Sequence, residues 1–381
     1  MMNADRPAQQ LSGTVQVRDV VVRRGRLRQW LRNAIGGFFV QLIGRPFQLL
    51  FGGPVYFQIV RTACQLNLFG VLKAKPGLTL PEIARELKID EYPAGILLMG
   101  CVALRLVRKS GSQYRLMPLV GSRLGRDHPR SAVPLLEWMH HVVYRPMFYF
   151  LEAVREGRAA GLHVFPGEED NLYQRLSHDP NLEKIFHDAM QVHSRQTNAL
   201  FLERIDFSRF RRILDVGGSS GENVAVIAQR HANVQATVFD FPTVAERARL
   251  RFQEQGLADR LSAVGGNIFE DAFPTGHDCV LFCHFTPIFS DATNRTLMKR
   301  AFEALTPGGI VCIYAPFMND RHTGPLKSAM LSPYFLCVVN GQGRHYSWQE
   351  SSAWLSDAGF IDVTRVRLQR DDGVILAAKP R

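Results

Sequence analysis

No stretch of the 381 residues approaches 18 uninterrupted apolar positions, so the sequence predicts no membrane-spanning helix. Cysteine is scarce: Cys64, Cys101, Cys279, Cys283, Cys312 and Cys337 are scattered without metal-type pairing, and at least three fall inside apolar, strand-like runs. A zinc site or a disulfide framework is therefore not expected, and small buried thiols in a reduced cytosol are. The basic segment near the N terminus lacks the apolar core and small-residue cleavage site of a secretory leader, so the expected location is cytoplasmic. Acidic residues are in deficit, with a net charge of +11, but residues 1–50 hold eight arginines against Asp5 and Asp19 and so supply +6 of it. A series of aromatics interleaved for base stacking is absent from that run, and nucleic acid is not the expected partner.

A hydrophobic content of 46% with 21% charged residues fits a globular chain long enough for two cores. Its organising stretch is Ile213-Leu214-Asp215-Val216-Gly217-Gly218-Ser219-Ser220-Gly221. The apolar run suits a buried parallel strand, and the glycines let backbone approach a ligand where a Cβ would collide. The helix from Val224 then turns its free N–H groups toward that ligand. A second strand, Ala236 to Phe239, ends in Asp240, an acceptor for both hydroxyls of a ribose. Asp215 would repel a pyrophosphate but suits a ligand with an amino group and no phosphate, which S-adenosylmethionine satisfies.

Taken in order, residues 1–20 read as a polar, unpatterned tail. From Leu27, apolar residues at helical spacing run to Pro46 with arginines opposite, either a helix packed on a partner subunit or one touching a membrane surface. A helix is expected over Val55–Leu72. Thr79-Leu80-Pro81-Glu82 resembles a capping box before the helix Ile83–Leu87, and a further helix spans Ala94–Leu104. A hairpin around Ser110-Gly111-Ser112 completes a winged helix whose presumed recognition helix is too apolar for a major groove. The division expected is a tail over 1–20, a helical dimerisation domain over 21–125, a helical connector over 126–205 and a catalytic domain over 206–381. A homodimer formed chiefly by residues 25–120 follows from the apolar surface of those helices. From residue 212, strands and helices alternate, so the fold class is α/β: a doubly wound, seven-stranded sheet ending in an antiparallel hairpin.

Leu214-Asp215-Val216-Gly217-Gly218, Val238-Phe239-Asp240-Phe241-Pro242, Gly266-Asn267-Ile268-Phe269, Ala304-Leu305-Thr306-Pro307-Gly308-Gly309 and Ala358-Gly359-Phe360 come in an order and spacing that resembles a known family. It is that of the class I S-adenosylmethionine-dependent methyltransferases of the small-molecule O-methyltransferase type. The resemblance covers about residues 55–380 and implies cofactor contacts at Asp215, Gly217, Gly218, Asp240, Phe241, Asn267, Ile268, Phe269, Cys283 and His284. Ser219 stands for a usual glycine and Asn267 for a usual aspartate. The family's catalytic histidine falls at Pro287, so the base expected is His141, His187 or His284, unless the acceptor is acidic enough to need none. The iron ligands that some ketoacid C-methyltransferases carry there are missing too, and no metal is expected. The acceptor is expected to be small and apolar or aromatic, held by Tyr144, Phe148, Phe186, His187, Met190, Met330 and Tyr334. Methyl transfer to oxygen is expected ahead of transfer to carbon. A family member that uses the cofactor for another reaction, or a winged-helix regulator without catalysis, is the alternative.

Overall fold

A computed structural model describes residues 50–368 and 372–381. The expected tail and the helix from Leu27 to Pro46 lie outside the described residues, as does part of the turn at Arg370-Asp371.

Residues 50–65 are helical, and Asn67, left-handed at φ 56°, separates them from a helix at Leu68–Ala74. The single helix expected over Val55–Leu72 is therefore two, because a left-handed residue breaks the i→i−4 ladder and asparagine tolerates that conformation at low cost. The capping box is as read: the Thr79 N–H donates to the Glu82 carboxylate at 2.8 Å and opens the helix Leu80–Leu87. Helix Glu91–Ala103 follows. Strands β1 (Leu78–Thr79), β2 (Val107–Ser110) and β3 (Gln113–Leu116) form the wing in the order β1-β3-β2. Helix Glu91–Ala103 buries Ala94, Leu97, Leu98 and Cys101 but leaves Tyr92, Ile96 and Met99 largely exposed. These three line an open cleft of about 440 Å³ with Leu80 and Val102, an apolar face suited to protein and not to phosphate.

The second sheet has seven strands: β4 (Arg212–Val216), β5 (Gln235–Asp240), β6 (Leu261–Gly265), β7 (His277–Cys283), β8 (Leu305–Pro316), β9 (Ile361–Arg367) and β10 (Asp372–Ala378). Their order is β6-β5-β4-β7-β8-β10-β9; the first five are parallel and β10 runs antiparallel to both neighbours. The chain winds outward from β4 to β6 and then returns to the other side of β4, so the switch point lies between β4 and β7. The central strands β4, β7 and β8 alternate between two buried faces, whereas the edge strand β6 buries one. Leu214, Val216, Val280 and Phe282 pack under the helices Asp291–Ala304 and Trp348–Asp357, while Ile213, Val238, Leu281 and Tyr314 pack under Glu222–Arg230 and Pro242–Glu254.

The helix Pro180–Arg204 ties the connector to this sheet. Asp179 caps it through the Asn181 and Leu182 amides. Near its other end Phe201 stacks on Tyr314 with ring centroids 4.7 Å apart, and the Tyr314 hydroxyl donates to the Thr197 carbonyl at 2.8 Å. Residues 193–198 are thereby held over the ends of β7 and β8.

Candidate active site

The turn after β4 is closed by its own neighbours. Gly217 has φ 69°, and a Cβ there would come within 2.2 Å of the Phe285 ring; one on Gly218 would meet an Asp215 carboxylate oxygen at 2.7 Å. Only glycine fits at the first of these, on both conformation and space. Asp240, at the end of β5, accepts from the Ser219 N–H at 2.9 Å and from the Phe241 N–H at 2.8 Å. Burial nevertheless raises its pKa.

Asp215 is wholly buried and neither carboxylate oxygen has a partner. Burial, with Asp240 adding, pushes its pKa up to about 7. A buried, unpartnered carboxylate beside a second one is costly in isolation, and a ligand bearing positive charge relieves it.

Asn267, Ile268 and Phe269 follow β6. The Asn267 side chain accepts from the Phe269 N–H at 3.0 Å, and its own N–H donates to Asp271 at 2.7 Å, so the asparagine serves first to fix its own turn. Ile268 is buried, whereas Phe269 and Phe241 expose ring faces. Cys283 ends β7, half-buried, with a thiol that burial pushes well up and leaves unreactive. All the expected cofactor residues thus gather at the carboxyl ends of β4, β5, β6 and β7.

His284 sits beside that turn, left-handed at φ 53°, with its N–H donating to the Tyr314 carbonyl at 2.7 Å. Its Nε2 lies 3.3 Å from Thr197 Oγ1 and 3.2 Å from Asn198 Oδ1, and the Asn198 amide donates to Asn223 Oδ1 at 2.6 Å. The ring stands 4.9 Å from that of His193 and 4.5 Å from Tyr314. Burial first, then the charges of His193, Lys327 and His345, hold the His284 pKa well below the usual histidine value. His193 and His345 are each lowered to about 4, again by burial first. Lys327 donates to Asp372 at 3.0 Å within the same group.

His345 and Lys327 were not expected as site residues. His345 precedes a helix whose Ser347–Glu350 capping box is the one local signal there; Lys327 has none.

The other expected residues are placed as follows. His141 Nε2 lies 3.3 Å from the Arg61 guanidinium and 3.4 Å from Glu137. His187 Nε2 accepts from Arg247 at 2.7 Å, and Arg247 also pairs with Glu183 at 2.5 Å. In both histidines the nitrogen that a base needs is already engaged. The seven acceptor residues do not form one wall. Phe186 packs edge-on against Tyr173, and Tyr334 against Trp138 at 5.3 Å. Tyr144 stacks on Phe57 at 5.4 Å. Met190 is half-buried. Phe148 and Met330 are 75% and 68% exposed, because each is on the outer side of a short helical segment. Pro287 is buried in the turn Thr286–Ile288. Among the described residues no group of histidine, cysteine, aspartate and glutamate has the arrangement to hold a metal ion, and no helix is long and apolar enough to cross a membrane.

A glycine turn at the switch point of a doubly wound sheet, with an acidic residue ending the next strand, is where such sheets take nucleoside cofactors. Residues 148–361 match the O-methyltransferase domain and residues 48–120 the O-methyltransferase dimerisation domain, so the chain belongs to the O-methyltransferase family, whose cofactor is S-adenosylmethionine. The L-tyrosine C(3)-methyltransferase of Streptomyces lavendulae is 32% identical over 335 residues, covering 87% of this chain and 91% of that one. The 3-hydroxy-5-methyl-1-naphthoate 3-O-methyltransferase of Streptomyces sahachiroi is 29% identical, over 84% of this chain and 91% of that one. Among solved structures, the S-adenosylmethionine-dependent methyltransferase SibL in its apo form superposes with a TM-score of 0.76 at 34% identity, over 87% of this chain and 98% of its own.

Proposed function

We propose that this protein, as a homodimer, transfers a methyl group from S-adenosylmethionine to a small hydroxylated aromatic molecule, without the histidine that the family places where Pro287 stands. The observation that carries the reading is the unpartnered Asp215 carboxylate beside Asp240, at a glycine turn that any side chain would fill. In this reading Asp240 accepts the ribose hydroxyls, Asp215 faces the amino group, and Gly217 and Gly218 admit the methionine part. Phe269 and Phe241 offer apolar surface to the adenine, with Ile268 packed beneath. When bound, the cofactor supplies an electrophilic methyl group on a sulfonium.

The chain's own work is then alignment, exclusion of water and management of one proton. The aromatic group of Trp138, Tyr173, Phe186 and Tyr334 offers ring surface for an aromatic acceptor. Pro287 has no group that accepts a proton, so another residue must, if the acceptor is not already ionised. A phenolate is nucleophilic at its oxygen and at the adjacent ring carbon. Transfer to carbon is the second reading, favoured by the relative that methylates L-tyrosine at C3, and both transfers need the same deprotonation.

The test is incubation of the purified protein with S-adenosylmethionine carrying a labelled methyl group, with L-tyrosine and hydroxynaphthoates as acceptors. Label in an organic product, located by fragmentation on oxygen or ring carbon, is expected. Cofactor left unconsumed while the acceptor is converted would refute methyl transfer.

A further inference from the structure

The proton left without an acceptor by Pro287 has a better-built destination than the histidines at 141, 187 and 284. The Nδ1 of His345 lies 3.0 Å from the Pro316 carbonyl. A carbonyl only accepts, so Nδ1 carries the hydrogen and Nε2 is the bare lone pair. That Nε2 is buried and has no partner, on a residue only 4% exposed. The backbone is fixed as well: the His345 N–H donates to Ser332 Oγ at 3.1 Å.

Two further observations place the segment and the ring of His345. A Cβ on Gly343 would lie 2.2 Å from the Pro287 carbonyl and 2.6 Å from that of Ile288. The segment bearing His345 is thus laid against the turn where the family's histidine belongs. The ring of Phe335 meets His345 at 5.4 Å, Tyr334 meets Phe335 at 5.5 Å, and Trp138 meets Tyr334 at 5.3 Å. That chain of rings links His345 to the aromatic group around Trp138 and Tyr334.

We infer that His345 is the general base of the transfer and that Lys327, steadied by Asp372, holds the oxyanion that forms. This rests on the methyltransferase reading above. The acceptor's hydroxyl proton passes to Nε2 while Nδ1 keeps its hydrogen on Pro316. The phenolate's electron pair, at oxygen or at the adjacent carbon, forms the new bond to the methyl carbon, and the pair of the broken S–CH3 bond stays on sulfur. After transfer to carbon, the ring loses its displaced proton to solvent and the imidazolium returns its proton to the oxygen, restoring the phenol. After transfer to oxygen, the imidazolium gives its proton to solvent.

The charged and titratable groups facing His345 are Lys327, His193 and His284, with Asp372 behind Lys327. Burial and the Lys327 charge keep the imidazole neutral, in the form that accepts. An oxyanion between His345 and Lys327 cancels that repulsion, so the proton affinity of His345 rises as that of the acceptor falls.

The probe is 4-nitrophenol, whose phenolate absorbs in the visible, added to the complex with S-adenosylhomocysteine. In the wild type the bound probe should ionise about one pH unit or more below the free phenol. The shift should vanish in His345→Phe and His345→Gln and shrink in Lys327→Met. Nitrogen-15 NMR should find His345 with Nδ1 protonated and Nε2 bare at neutral pH. A probe that fails to bind, ionises as in water, or shifts equally in His345→Gln overturns the assignment, as does a protonated Nε2. Calorimetry with S-adenosylhomocysteine separates the two levels. Loss of its binding by the wild type refutes the methyltransferase reading, whereas an unshifted probe on a complex that binds it refutes His345 alone.

Discussion

The two halves of the site bury opposite problems. At the ends of β4 and β5 two carboxylates are held close together in a dry place, one with no partner, and both have raised pKa values. Across β7 and β8 three histidines surround one lysine, and all three are held neutral. A cation would relieve the first half and an anion the second, which suits the proposed pair of ligands, a sulfonium and a phenolate.

The largest effect should come from separating the halves. Phe201 is fully buried and stacked on Tyr314, so Phe201→Ala should cost about 3–5 kcal/mol in denaturant unfolding and loosen residues 193–198 over His284. A cost below about 1 kcal/mol would mean that the stack does not hold the helix to the sheet.

Next is the pH dependence of the carboxylate half. Asp215 has a folded pKa of about 7 against 3.8 for the ordinary group. Between those values the folded carboxyl keeps a proton that the unfolded chain has released, so its contribution to stability falls as pH rises through that window. The ceiling is on the order of 4 kcal/mol, at about 1.4 kcal/mol per unit. Asp215→Asn should flatten the fall in unfolding temperature between pH 5 and pH 8. An unchanged slope would show that the carboxyl titrates normally.

Asp240→Ala should weaken S-adenosylmethionine binding by about 1–3 kcal/mol, the scale of a lost buried hydrogen-bonding partner. Unchanged affinity would remove the ribose assignment. The smallest effect is expected from Arg247→Ala, because an ion pair whose side chains are 47% and 26% exposed contributes under about 1 kcal/mol. A tenfold loss of cofactor affinity in that variant would instead bring Arg247 and His187 into the site.

The carboxylate half was legible in the chain because it is local. A strand, a glycine turn and Asp240 lie within 28 residues, and their periodicity and conformational demands are visible without a fold. The seven-stranded sheet with its antiparallel end was found for the same reason, since its strands alternate with helices along the chain. Asn67 hid because the apolar spacing continues across it. Of the histidine half only His284 was legible, because its other members come from residues 193, 327, 345 and 372 and meet it only where strand order brings them together. His345 has no motif around it that speaks of acid–base work; what marks it is a carbonyl on one nitrogen and nothing on the other.

The most direct test of the central claim, that two buried carboxylates hold a cationic cofactor at the glycine turn, is calorimetric titration with S-adenosylmethionine at pH 7 in phosphate and in Tris. The two buffers differ in ionisation enthalpy, so the difference in heat counts protons. With Asp215 near half-protonated when empty, binding of a cation should release up to about half a proton, with a dissociation constant of about 10 µM or below. Absence of binding, or tight binding with equal heats in both buffers, would contradict it.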